Sequence, residues 1–71
     1  MLGNEIRANI KLFRKTQNEV SQELSARLRW KVTPQEFSEI LDGKRGDGTK
    51  TQMVLAECER MIEEWKGSVS S

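Results

Sequence analysis

Apolar residues recur along this chain every three or four positions, and the interruptions fall where helices would end. Ile6, Ile10 and Phe13 stand at i, i+4 and i+7 and predict a first helix starting near Asn4. Val20, Leu24 and Leu28 repeat the spacing and predict a second, with Asn18 as its cap. Thr33, Pro34 and Glu36 then form a capping box with proline at the first helical position, the strongest start signal in the chain. Phe37, Ile40 and Leu41 supply the inward face of this third helix, and Gly43 ends it. Residues 43–50, Gly-Lys-Arg-Gly-Asp-Gly-Thr-Lys, must break regular structure, and Thr49 with Gln52 offers a second capping box. Val54, Cys58, Met61, Ile62 and Trp65 make the stripe of a last helix expected to stop near Gly67. No segment has the period-two alternation or β-branched density of a strand. The pattern predicts an all-α, compact four-helix domain over residues 1–67, with a frayed tail at 68–71.

Length and charge narrow this further. A chain of 71 residues is one small domain, and such domains bury only roughly 60% of their unfolded surface. Net charge is +1, so no global field draws it to nucleic acid. The distribution is uneven: residues 1–31 carry seven bases and three acids, whereas residues 34–42 carry three acids and no base. A lone cysteine, Cys58, excludes an internal disulfide; on the apolar stripe it reads as a buried structural thiol in a reducing compartment. No apolar run approaches the ~18 residues of a membrane span, and no signal peptide is recognised. A cytoplasmic location is expected.

The chemistry of enzymes is sparse. Histidine is absent, which removes the commonest general base and, with one cysteine, any zinc spacing. Gly43 to Gly48 has the glycine spacing of a phosphate loop. Thr49–Lys50 follows where Lys-Ser/Thr is required, however, and no strand precedes it. The carboxylates of Glu57, Glu59, Glu63 and Glu64 read as solvated helix surface. Arg45–Gly46–Asp47 spells an integrin-type tripeptide by chance. No catalytic residue, metal, cofactor or small-molecule ligand is expected.

Taken together, Ser21–Gln22, Ala26, Val32–Thr33, Phe37, Ser38, Ile40 and Gly43–Lys44–Arg45 resemble the Cro/CI-type (XRE) helix-turn-helix family of small phage and mobile-element regulators. The resemblance covers about residues 6–45, with residues 49–66 standing for a later helix. Its most specific part is Val-Thr-x-x-x-Phe-Ser-x-Ile-x-Asp-Gly-Lys-Arg. It implies a lambda-repressor-like fold that binds double-stranded operator DNA, in many members as a homodimer. Thr33, Pro34, Gln35, Ser38 and Glu39 match positions that reach base edges in the major groove. Gln35 would then pair with adenine and Glu39 would accept from cytosine. Gln22, Lys44 and Arg45 match positions that hold the phosphate backbone, and Arg27, Arg29 and Lys31 add a basic patch beside the turn. Between Ala26 and Val32 the chain is about one residue longer than the family pattern and lacks its turn glycine. A second register, with Thr16–Gln17 opening a longer second helix, therefore stands beside the first.

Blander readings accompany these assignments. Lys44 and Arg45 are equally solvated loop charges, and Gln35 and Ser38 equally ordinary exposed helix residues. Trp30 reads as a packing residue or an interface anchor. The acidic third helix also supports a different partner. An antirepressor would imitate DNA and dock on another regulator's basic face through Trp30, Glu36, Glu39 and Asp42. That reading requires the three acids to face solvent without bases beside them, whereas DNA binding requires bases and Gln35 on one surface.

Overall fold

The structure, a computed structural model, describes residues 2–46 and 48–70, with side chains up to Ser68. Four helices make up most of the described residues, and no strand occurs among them. They are α1 (Gly3–Leu12), α2 (Gln17–Leu28), α3 (Pro34–Leu41) and α4 (Thr49–Ser70). α1 and α2 each pack against both α3 and α4. The apolar stripes converge on one core of Ile6, Ile10, Val20, Leu24, Val32, Phe37, Ile40, Leu41, Val54, Cys58, Met61 and Ile62. Burial pushes the Cys58 thiol up to about 12, so it rests protonated and unreactive at neutral pH.

Local signals explain most boundaries. Thr33, in extended conformation, accepts a hydrogen bond on Oγ1 from the Glu36 amide at 3.1 Å, which starts α3 as expected. At the other end the Gly43 amide bonds to Ile40 O at 3.1 Å and the Lys44 amide to Glu39 O at 3.0 Å. Gly43 sits there at φ 78, completing a Schellman cap. α1 ends the same way around Arg14, whose amide bonds to Lys11 O at 3.1 Å while that of Lys15 reaches Ile10 O at 2.9 Å.

Three expectations are corrected. α2 is capped by Thr16, not Asn18: Thr16 is extended and its Oγ1 accepts from the Glu19 amide at 3.1 Å, which places Asn18 inside the first turn. Thr49 does not cap α4, because the Gln52 amide bonds to Gly48 O at 3.0 Å and makes Thr49 the first helical residue. α4 also runs through Gly67 to Ser70. An exposed helical glycine costs about 1 kcal/mol against alanine but ends a helix only where the chain turns left-handed. Ser71, the last residue of the expected tail, lies outside the described residues. The stripes end at the rim of the core with Phe13, Leu28 and Trp65, each partly buried; Phe13 and Trp65 meet in a tilted stack with centroids 5.7 Å apart.

Candidate nucleic-acid interface

α2, the turn Arg29–Thr33 and α3 form two helices joined by a short connection, and its backbone depends on two unexpected residues. Arg29 closes α2 in the left-handed region at φ 63 and occupies the place where a glycine would be free of strain. Ser25 then ties the turn to the helix. Its Oγ donates to Ser21 O at 2.9 Å and accepts from the Val32 amide at 2.8 Å. Val32 is thereby drawn into the core, and Thr33 follows as the cap of α3.

α3 buries Phe37, Ile40 and Leu41, so Gln35, Ser38, Glu39 and Asp42 fall on the opposite arc of the helix. The acids on and beside this arc are matched one by one with bases from three other segments. Glu36 Oε1 lies 3.2 Å from Lys50 Nζ at the start of α4. Glu39 Oε1 accepts from Arg45 Nε at 2.8 Å and pairs with its Nη2 at 2.7 Å. Asp42 Oδ1 accepts from Arg7 Nη1 on α1, and this guanidinium holds the Asp42 carboxyl below the usual carboxylate range. Arg7 Nη2 also donates to Ser38 Oγ at 3.1 Å. The run of three acids is thus close to neutral where it folds.

The candidate contact residues separate under these constraints. Gln35 is exposed in the first turn of α3, and no hydrogen bond holds its side chain among the described residues. Lys44 is exposed beyond the end of α3, with no carboxylate paired to it among the described residues. Thr33 is occupied as the cap, Ser38 is half-buried beneath Arg7, and Glu39 carries Arg45. Gln22 is exposed but lies in the middle of α2, not at its start. The residue opening α2 is Gln17, with Thr16 as its cap.

Arg27 leaves the basic patch altogether. Its guanidinium donates to both carboxylate oxygens of Glu64 at 2.9 and 2.6 Å and to Glu23 at 3.1 Å, binding α2 to α4. These hydrogen bonds raise its already high pKa further and hold the Glu64 carboxyl low. Arg29 and Lys31 remain exposed before α3, and Lys44 and Arg45 after it. Trp30 is packed partly into the core, with Lys50 Nζ 5.9 Å from its ring centroid.

Comparison with known protein families, curated proteins and solved structures finds no match. Among the described residues no group of three or more His, Cys, Asp or Glu could hold a metal ion, and no helix is long and apolar enough to cross a membrane.

Sequence reasoning missed Arg7, Gly3, Ser25 and Lys50. An alanine-type Cβ at Gly3 would lie 2.0 Å from Leu41 O, so α1 approaches the backbone of α3 at its last residue. Gly3 and Arg7, one turn apart, face the end of α3 together. Their i, i+4 spacing was the one available hint, and it named no partner. Arg7 and Asp42 are separated by 35 positions in sequence.

Proposed function

We propose that this chain is a small helix-turn-helix transcriptional regulator of phage type that binds operator DNA through α3, acting in the cytoplasm. The observation that supports it best is the pairing of Glu36, Glu39 and Asp42 with Lys50, Arg45 and Arg7. An unpaired acidic helix would be repelled by the phosphate wall; a neutralised one, flanked by Arg29, Lys31 and Lys44, is not. In this reading Gln35 enters the major groove and offers its amide to adenine. Lys44, Arg29 and Lys31 hold phosphates, and Arg45 lies close to the groove floor. Two copies on a palindromic site would double these contacts.

The antirepressor reading called for a bare acidic face on α3, and the same three pairs remove that support. Trp30, its candidate anchor, is partly packed against the core.

Fluorescence anisotropy of the protein with duplex DNA, including its own upstream region, tests the proposal across a salt titration. Binding should weaken linearly in log–log form with a slope of about three to four phosphates. Lys44→Ala should lower affinity on every sequence, and Gln35→Ala should lower discrimination between sequences. Absence of binding even at low salt would sink the DNA reading and direct the search to a protein partner.

A further inference from the structure

We infer that the Glu39–Arg45 ion pair is a composite reader of a single C·G base pair, an inference that rests on the DNA-binding reading. Glu39 receives both of its contacts from Arg45 on one oxygen, Oε1. Its second oxygen, Oε2, has no partner among the described residues, and neither has Nη1 of Arg45. The pair is also accessible, with side-chain exposures of 33% for Glu39 and 47% for Arg45. It therefore presents an acceptor and a fork of donors side by side on the outward arc of α3.

That juxtaposition has a specific complement. In the major groove a C·G pair shows the cytosine N4 amino donor beside the guanine O6 and N7 acceptors. Glu39 Oε2 accepts from cytosine N4 while the free guanidinium edge of Arg45 donates to guanine. A T·A pair presents a methyl group and the thymine O4 acceptor in place of the amino donor, which leaves the carboxylate facing an acceptor. Reversal to G·C exchanges the donor and acceptor ends. Each end of the ion pair is held in place by the other, so neither long side chain must be ordered afresh when DNA arrives. Arg45 is thus a specificity residue, not the phosphate contact that its loop position suggests.

Gln35 stands four residues before Glu39 on the same arc. At about 1.5 Å per residue the two are separated by about 6 Å along the helix. Base pairs stack at about 3.4 Å, so an A·T pair read by Gln35 should lie within about two positions of the C·G pair.

The test is selection from a pool of duplexes with a randomised central segment, using the 71-residue chain and its Glu39→Gln and Arg45→Lys variants. The wild-type protein should enrich sites containing an invariant C·G pair near an A·T pair. Glu39→Gln, which keeps the shape and removes the charge, should relax the choice at that one position by about ten-fold while leaving the rest of the site intact. It should also raise affinity for non-specific duplex. Arg45→Lys should relax the same position, because a lysine lacks the fork. A site with no C·G preference, or a preference that survives both substitutions, overturns the composite reader while DNA binding stands. No enrichment together with no salt-dependent binding overturns the DNA-binding reading and this inference with it.

Discussion

The guanidinium of Arg7 on α1 bonds to the carboxylate of Asp42, the residue that follows α3, and with its other nitrogen to Ser38 Oγ. One side chain thereby ties the first helix to the end of the third. It also cancels a charge that would otherwise project from α3.

This relationship makes the fold acid-sensitive in a defined direction. Arg7 holds the Asp42 carboxyl below its ordinary 3.8, and Arg27 holds that of Glu64 below its ordinary 4.5. A depressed carboxylate contributes stability that is complete above its unfolded value and is lost as pH falls through its folded value. The unfolding temperature should therefore be flat from neutral pH to about pH 5 and fall below that. Arg7→Gln and Arg27→Gln should each lower it at neutral pH and flatten the acid decline. Thermal melts across pH decide this; a variant as acid-sensitive as the parent excludes its pair as the cause.

Gly3 is set by close approach. A methyl group there would meet Leu41 O at 2.0 Å, and a backbone oxygen in a packed helix cannot give way. Gly3→Ala should destabilise by about 1–3 kcal/mol, despite alanine's better helix propensity. Urea unfolding reads the loss directly. An unchanged midpoint would mean that α1 slides freely along α3.

Arg29 separates stability from binding. Its left-handed backbone, at φ 63, is strained for any side chain and free for glycine. Arg29→Gly should raise stability by about 0.5–1 kcal/mol, the steric gain exceeding the added entropy of the unfolded chain. The same substitution removes a proposed phosphate contact and should reduce the salt slope of DNA binding by about one. Chemical unfolding and anisotropy on one preparation should move in opposite directions.

Ser25 should be the most costly polar truncation in the turn. Alanine there leaves the Val32 amide without its 2.8 Å partner in a part-buried setting. A loss of about 1–3 kcal/mol follows from an unsatisfied donor. Ser25→Cys, with a weaker acceptor, should fall between the two in urea melts. Equal stability of the alanine variant and the parent would show that the turn holds without this bond.

The sequence by itself determined the four helices, the core and the ends of α3. Those follow from short-range causes: apolar residues at helical spacing, Thr33 and Pro34 at one terminus, and a glycine at φ 78 at the other. The start of α2 was misread, because Asn18 is as good a cap by residue type as Thr16, where the helix is in fact capped. Thr16 takes the cap in the fold: the Glu19 amide donates to its Oγ1. What only the tertiary structure decided is the electrostatic character of α3. In one dimension Glu36, Glu39 and Asp42 are a run of like charge. In three, Lys50, Arg45 and Arg7 arrive from different segments to meet them, and Arg27 is drawn away to Glu64. The interaction between charges depends on their separation in space, not along the chain. A local count could therefore report the sign of each residue but not the sign of the surface.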